Sequence, residues 1–201
     1  MQNMRLEVIQ ELLESSLSCD SEEITDTNSR WMRRLKKASI CTRYHYYHCQ
    51  GFLTGSLKDR LDELWFTLYT RKNILSSSGF EHVFAGEMRG QKVLGLHNWV
   101  YFLHKEREGD INYMRWLNFI DLGDKGEIVK VAYKWMGKMK KAGSMFVGTS
   151  PELDLAVYTL CILTRPNRGC PVQMNGHKFN IQTWIQKSDG KELVGAAFPA
   201  I

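Results

Sequence analysis

The sequence predicts an α+β protein, with helices early in the chain and mostly antiparallel sheets with packed helices after them. Two patterns predict this class. Apolar residues recur at helical spacing before residue 70, whereas short apolar runs separated by turn residues dominate after residue 79. The 201 residues, of which 43% are apolar and 24% charged, suffice for one domain with a sizeable core, or at most two small ones.

Two segments near the beginning of the chain have helical periodicity. In residues 4–17 leucine and isoleucine fall on one face, and a polar stretch typical of a linker follows at residues 18–29. A second helix is predicted to begin with Ser56 as its cap and to end near Arg71 and Lys72. Its apolar face comprises Leu57, Leu61, Leu64, Trp65 and Leu68.

Turn residues divide the rest of the chain into short segments. We expect a hairpin over residues 80–87 and 92–96, a short helix at 98–106, and strands at 112–121, 127–136 and 144–148. Ser150, Pro151 and Glu152 form a strong helix start, and Pro166 ends that helix. The last hairpin turns on residues 175–176 and joins residues 171–174 with residues 178–186.

Charge is distributed unevenly along the chain. Residues 1–28 hold seven acids and a single base, Arg5, so the remaining 173 residues carry 26 bases and 15 acids, a net charge of +11. A basic body favours a polyanionic partner such as nucleic acid. The alternative is intramolecular, with the acidic N-terminal segment covering the basic surface.

The cellular location is inferred from two features that are absent from the sequence, a membrane-spanning segment and a secretory signal. No apolar run approaches the roughly 20 residues that span a bilayer, and the first residues do not have the pattern of a secretory signal. We expect no contact with a membrane and an intracellular location, cytoplasmic or nuclear, or secretion if the N-terminus is incomplete. The five cysteines form no CxxC motif and suggest free thiols, although Cys161 and Cys170 flank a turn and could pair in a secreted protein.

Two histidines are candidates for chemistry. His82 and His97 lie fifteen residues apart around the expected hairpin, so both imidazoles can converge at one rim of the sheet. Two imidazoles can act as base and acid in one reaction. With a lysine from the segment at residues 135–141, they would suit RNA cleavage by the 2′-hydroxyl, which yields a 2′,3′-cyclic phosphate. Motifs of metalloproteases, serine hydrolases and nucleotide-binding loops are absent from the sequence.

Other functions remain open on these residues. Glu81, His82, Glu87 and His97 could instead gather a divalent metal, as in a phosphodiesterase that hydrolyses DNA as well as RNA with activated water. A catalytically inactive RNA-binding protein would need only the basic surface and an aromatic side chain on which bases stack.

Several motifs resemble those of one known family. SSGFEHVFAGE, GLHNW, KWMGKMKKAGSMFVGTSPELDLAVYTLC and FNIQTW closely resemble motifs of the EndoU family of uridylate-preferring endoribonucleases, in the family's order, over about residues 52–198. The resemblance implies an EndoU-like fold for residues 52–201 and cleavage of single-stranded, U-rich RNA at uridines. Residues 1–51, which the patterns above predict to hold a helix and a linker, do not resemble the longer helical region that usually precedes this part in the family. We therefore divide the chain into this N-terminal segment and a domain at residues 52–201. We expect a monomer.

The resemblance also implies roles for individual residues. His82 matches the general base, His97 the general acid and Lys140 the catalytic lysine, where a WNGYYK-like motif reads WMGKMK in this sequence. Glu81 and Glu87 match acidic positions linked to activity or to the Mn²⁺ dependence of animal members, and are candidate metal ligands. Thr149 matches a hydroxyl that hydrogen-bonds uracil, and Trp184 an aromatic residue that packs on the nucleoside.

Overall fold

The computed structural model describes residues 56–71 and 74–201 and has the predicted α+β architecture. The helical pattern at residues 4–17 and the boundary at residue 51 lie outside the described residues. The elements are α1 (Ser56–Phe66), β1 (Leu68–Arg71), β2 (Ile74–Ser78), a π-helical turn (Glu81–Ala85), β3 (Glu87–Arg89), β4 (Lys92–Leu94), α2 (Trp99–Arg107), β5 (Ile111–Asp121), a 3₁₀ turn (Gly123–Lys125), β6 (Glu127–Trp135), β7 (Lys138–Val147), α3 (Pro151–Thr164), β8 (Gly169–Met174), β9 (His177–Ser188) and β10 (Lys191–Ala200).

The described strands form two larger antiparallel sheets and two hairpins. One sheet has the order β5-β6-β7 and the other β10-β9-β8, while β1 pairs with β2 and β3 with β4. An aromatic core joins the two larger sheets. Phe146 of β7 packs on Tyr158 of α3 with the ring centroids 6.0 Å apart and on Phe179 of β9 at 5.8 Å, and all three side chains are buried. The two sheets therefore share one hydrophobic core.

The prediction for the end of α1 is wrong. The helix ends at Phe66 instead of near Arg71, and residues 68–71 form β1. Tyr69 of this strand is completely buried, and β1 pairs with β2. Burial of an aromatic side chain and strand pairing thus outweigh the helical spacing of Leu68.

The expected strand at residues 80–87 is also wrong, because most of this segment is helical. The rings of Phe80 and Phe84 stack across one helical turn, with their centroids 4.8 Å apart. In a strand these two side chains would lie on one face with another residue between them. The hairpin is shorter than predicted, with Glu87–Arg89 pairing with Lys92–Leu94.

The second half of the chain agrees better with the sequence. Helices α2 and α3 and the hairpin at residues 175–176 lie where they were predicted, and Asn98 and Ser150 cap the two helices. Strand β7, however, begins at Lys138 instead of residue 144, and β10 was not predicted. No helix among the described residues is long and apolar enough to cross a membrane.

A disulfide joins Cys161 of α3 to Cys170 of β8. The pairing that the sequence left open for these two cysteines is therefore formed, because the intervening turn brings their Cα atoms to 5.6 Å, a normal disulfide separation. The other three cysteines lie outside the described residues.

Candidate active site

His82 is buried in the π-helical turn and is oriented by a carboxylate. Its Nδ1 lies 2.6 Å from Oε1 of Glu87, the first residue of β3. The second oxygen of Glu87 accepts a hydrogen bond of 3.1 Å from the hydroxyl of Ser77. A carboxylate on Nδ1 fixes the orientation of an imidazole and stabilises the positive charge that the ring acquires when its other nitrogen takes a proton.

Glu81 has a different structural role. Its carboxylate accepts a hydrogen bond of 2.8 Å from the backbone N–H of Ser78, while the Ser78 hydroxyl accepts one of 3.2 Å from the backbone N–H of Glu81. This reciprocal pair is a capping box, which starts the helical segment that carries His82. Glu81 thus caps the helical segment, whereas Glu87 contacts the ring of His82.

The backbone ties His82 to His97. The N–H of Leu96 donates to the carbonyl of His82 at 3.0 Å, and the N–H of His97 donates to the carbonyl of Val83 at 2.6 Å. Gly95 permits this approach, because a Cβ at that position would lie 1.7 Å from the carbonyl oxygen of His82. Two histidines from different segments are therefore held together, as the sequence predicts, but by a helical turn packed on a loop.

The ring of His97 is held on two sides. Its Nδ1 donates to the backbone carbonyl of Ser144 at 2.7 Å, and its face stacks on Phe198 of β10 with the centroids 4.7 Å apart. Since a carbonyl can only accept, Nδ1 carries the proton and Nε2 is the acceptor of the neutral ring. Burial, together with the nearby charges of Lys140 and His82, holds the pKa of His97 well below its usual value.

Lys140 completes the group. Its Nζ donates to the carbonyl of Gly95, two residues before His97. Burial lowers the pKa of Lys140 to about 8, so that the side chain is still largely protonated at neutral pH. The structure thus brings His82, His97, Lys140 and Glu87 together in one site.

Thr149 lies next to the loop of His97 but is buried. Its hydroxyl donates to Oδ1 of Asp154 at 2.7 Å, and its carbonyl accepts a hydrogen bond of 2.6 Å from the indole of Trp99. Asp154 is buried, and this burial raises its pKa to about 8. Because its proton is donated to Asp154, the Thr149 hydroxyl oxygen can only accept a hydrogen bond from any further partner.

Trp184 lies on the outward face of β9, where half of its side chain is exposed. In the β9–β10 register, Phe198 is opposite Gln182, two residues before Trp184. Side chains alternate along a strand, so Gln182, Trp184 and Phe198 share this face. Diagonal neighbours of this kind are roughly 7–8 Å apart, so Trp184 lies near the ring that stacks on His97.

The described residues do not form a metal site by themselves. Both predicted ligands are already engaged, Glu81 in the capping box and Glu87 with His82 and Ser77. Within residues 56–71 and 74–201, no three His, Cys, Asp or Glu side chains converge to hold an ion.

Comparison with known proteins identifies the family. A model of the family described as Endoribonuclease XendoU matches residues 18–199. The chain belongs to this endoribonuclease family. The match confirms the family indicated by the motifs and begins well before residue 52.

Individual XendoU relatives agree with the family match. The chain is 38% identical over 192 residues to uridylate-specific endoribonuclease D of Xenopus laevis, which covers 92% of this chain and 63% of that protein. It is 44% identical over 142 residues to uridylate-specific endoribonuclease EndoU of Drosophila melanogaster, covering 69% and 44% of the two chains. The chain thus spans less than two thirds of the length of these relatives.

The fold is also that of a solved member. The structure of XendoU, a splicing independent snoRNA processing endoribonuclease, matches 96% of this chain and 74% of its own, with a TM-score of 0.58 and 25% sequence identity. The EndoU-like fold expected from the motifs is therefore confirmed.

Three residues of the site were not predicted. Phe198 was missed because β10 was not predicted, and Ser144 acts through its backbone carbonyl, which no side-chain pattern reveals. Asp154 was read only as part of a helix, although an acid four residues after the Ser150 cap was visible in the sequence.

Proposed function

We propose that this protein is an endoribonuclease that cleaves single-stranded, U-rich RNA at uridines through attack of the 2′-hydroxyl. The observation that carries the proposal is the contact between the segments of His82 and His97, with Lys140 bonded to Gly95 between them. This arrangement supplies a base, an acid and a cation to one phosphate.

Each residue has one role in the proposed reaction. His82 removes the proton of the 2′-hydroxyl, whose oxygen then attacks phosphorus, and Glu87 stabilises the positive charge on the ring. His97 gives a proton to the leaving 5′-oxygen, and the ammonium of Lys140 stabilises the negative charge of the phosphorane. The products are a 2′,3′-cyclic phosphate and a 5′-hydroxyl.

The low pKa of His97 has a consequence for its role as acid. In the free protein this ring is neutral near pH 7, since burial and Lys140 disfavour its charged form. A bound phosphate brings negative charge beside the ring and so favours protonation on RNA binding.

Recognition of uridine is assigned to Thr149 and Trp184. The half-exposed indole of Trp184 offers a stacking surface near Phe198. The Thr149 hydroxyl, with its proton on Asp154, is an acceptor. Uracil presents an N3–H donor where cytosine presents a lone pair, so this acceptor would favour uracil. Because Thr149 is buried, the residues around it would have to move aside when the base binds.

Three further properties belong to the proposal. Mn²⁺ would stimulate cleavage while bound with the RNA, because Glu81 and Glu87 are engaged within the protein. The protein would act as a monomer, which light scattering tests directly.

The disulfide between Cys161 and Cys170 favours an oxidising compartment over the intracellular location that the sequence suggests.

The test uses a short RNA with one uridine, incubated with and without Mn²⁺, and its 2′-deoxyuridine counterpart. The protein, a His97→Ala variant and an exposed-histidine control, His177→Ala, are compared, and product ends are read by mass spectrometry. We expect the wild type and His177→Ala to cut the uridine RNA and leave a 2′,3′-cyclic phosphate. We expect no cleavage of the 2′-deoxyuridine strand, and no cleavage of either strand by His97→Ala.

Other outcomes identify the alternatives. RNA binding without cleavage by a folded protein would indicate an inactive relative. Cleavage of the deoxyuridine strand to a linear phosphate would indicate metal-dependent hydrolysis instead.

A further inference from the structure

Gln182 of β9 lies on the same face of its sheet as the exposed indole of Trp184. Buried and outward-facing side chains alternate along this part of the strand, where Ile181 and Thr183 are completely buried and Trp184 is half exposed. Gln182 and Trp184 therefore share the outward face, and side chains two positions apart on a strand are roughly 7 Å apart. A pyrimidine base that packs against the indole can thus reach the side chain of Gln182.

Gln182 is also next to the ring that supports His97. In the register of β9 and β10 it is directly opposite Phe198, whose ring stacks on His97 with the centroids 4.7 Å apart. Directly opposite side chains of antiparallel strands have their Cβ atoms roughly 5 Å apart. One side chain thus separates Gln182 from the imidazole of His97. A nucleotide whose 3′-phosphate lies at His97 can therefore place its base on this part of the sheet.

The side chain of Gln182 is more accessible than that of Thr149. Gln182 is partly exposed, whereas Thr149 is only 4% exposed. On the side away from Phe198, Gln182 is opposite Gly169 of β8, which has no side chain to cover it. A base can therefore approach Gln182 from solvent, whereas Thr149 has to be uncovered first.

One hydrogen bond fixes the direction in which the Gln182 amide faces. Its Nε2 donates to the backbone carbonyl of Thr183 at 3.2 Å. Because a carbonyl only accepts, the amide nitrogen has to face Thr183, and Oε1 faces away from it. The side chain therefore presents a hydrogen-bond acceptor, Oε1, to a group that binds beside Trp184.

We propose that Gln182 is a specificity-determining residue that reads the hydrogen-bonding edge of uracil. This inference rests on the proposed cleavage at uridine. Oε1 accepts a hydrogen bond from N3–H of uracil, whereas cytosine in the same position sets the lone pair of its N3 against Oε1. Turning the amide to pair with cytosine breaks its hydrogen bond to Thr183. The residue thus favours uridine over cytidine next to the cleaved phosphate.

The experiment compares the dinucleotides UpA and CpA as substrates. Gln182→Met removes the amide and keeps a side chain of similar length. Asn180→Leu is the matched control, because it removes an exposed amide from the same strand, two residues before Gln182. Urea unfolding verifies that both variants are folded. Binding is measured separately by calorimetry with the 3′-monophosphates of uridine and cytidine, which the proposed reaction does not consume.

We expect the wild type to have a higher kcat/KM for UpA than for CpA and a lower Kd for the uridine monophosphate. Gln182→Met should reduce both preferences about tenfold, mainly through a higher KM for UpA, because it removes one hydrogen bond to the base. Asn180→Leu should keep both preferences. Preferences that survive in Gln182→Met would overturn the proposal, as would equal losses on UpA and CpA or a wild type that binds the two monophosphates equally.

The design separates this inference from the proposed function. If the wild type cleaves neither dinucleotide, the proposed reaction fails, while the Kd values of the two monophosphates still test Gln182. A preference for uridine that Thr149→Val abolishes and Gln182→Met leaves intact would assign the reading of the base to Thr149 and overturn the role of Gln182.

Discussion

The carboxylate of Glu87 lies 2.6 Å from Nδ1 of His82, although the two residues belong to different elements. His82 is in a helical turn begun by the capping box of Glu81, and Glu87 opens the strand that follows Gly86. Two neighbouring acids with the same charge thus have different tasks. One builds the backbone of the site, and the other acts on the imidazole.

The first prediction follows from this difference. Glu87→Gln keeps the size of the side chain but removes the negative charge on Nδ1, so kcat should fall by about 100-fold or more. Glu81→Gln is the control, because a glutamine also closes a capping box, and it should change kcat only slightly. Single-turnover cleavage of the uridine RNA measures both. Equal losses in the two variants would contradict this division of roles.

The pKa of His97 can be measured without activity. An NMR titration of its ring should show half-protonation below pH 6.5, because burial and Lys140 disfavour the charged ring. Lys140→Gln removes one of these causes and should raise the pKa of His97. Lys138→Gln removes a neighbouring lysine of the same strand and should leave it unchanged. A midpoint at or above pH 6.5 in the wild type would refute the assigned environment.

Gly95 offers a test of the contact between the two histidine segments. Gly95→Ala places a Cβ where the carbonyl oxygen of His82 lies, and the backbone there has a φ of +63°. Gly90→Ala is matched, since its φ is +56° but nothing lies within 4 Å of the new atom. We expect Gly90→Ala to cost about 1–2 kcal/mol of unfolding free energy, and Gly95→Ala clearly more, with loss of kcat. Denaturant unfolding measures the two free energies of unfolding. Equal losses in Gly95→Ala and Gly90→Ala would show that the backbone around His82 moves aside at little cost.

The sequence predicts the residues of the site better than the elements that carry them. The turn pattern predicts a hairpin strand over residues 80–87, whereas most of this segment is helical. The signal for the helix was present, because a serine followed three residues later by a glutamate is a capping-box pattern. A short apolar run is compatible with both the helical and the strand period, so here the capping box of Ser78 and Glu81 is the signal that distinguishes a helix from a strand.

Other features depend on long-range contacts that no local pattern contains. Phe198 reaches His97 only because β10 pairs with β9, and this strand has little alternation, with Leu193, Val194 and Gly195 all buried in succession. In β5, two register shifts likewise place Tyr113, Trp116 and Phe119 opposite alternate residues of β6, a facing that the spacing of three does not predict. Helices with a strong cap, such as α3, were predicted correctly because their signal is local.

The disulfide makes a prediction about stability. Cys161 and Cys170 are nine residues apart, so the bond restricts a short loop of the unfolded chain. Cys161→Ser/Cys170→Ser should lower the free energy of unfolding by about 2–3 kcal/mol, as measured with urea. Reduction of the wild type should give the same loss, and adding reductant to the variant should have no further effect. A variant as stable as the oxidised wild type would show that the bond does not contribute.

Asp154 should make stability depend on pH in the direction opposite to a typical carboxylate. Burial raises its pKa from 3.8 to about 8, so the folded protein keeps a proton that the unfolded chain loses. Its contribution is therefore complete below about pH 4 and declines as pH rises to about 8. Asp154→Asn stays neutral and accepts the Thr149 hydrogen bond, so it should flatten this decline and exceed the wild type in stability at pH 8.

The exposed Asp189→Asn provides the control for this measurement, because a surface change should leave the pH slope intact. Urea unfolding at several values from pH 5 to pH 8.5 gives the slopes directly. His97 contributes with the opposite sign, since its lowered pKa makes the folded state lose stability as pH falls below 6.5. Lys140, whose pKa is lowered to about 8, adds stability as pH rises above about 7, because the unfolded chain then holds more protons than the folded protein. The decline due to Asp154 should therefore be clearest between about pH 6.5 and pH 7.5. An identical slope for Asp154→Asn and the wild type in that range would mean that Asp154 is already ionised in the folded protein.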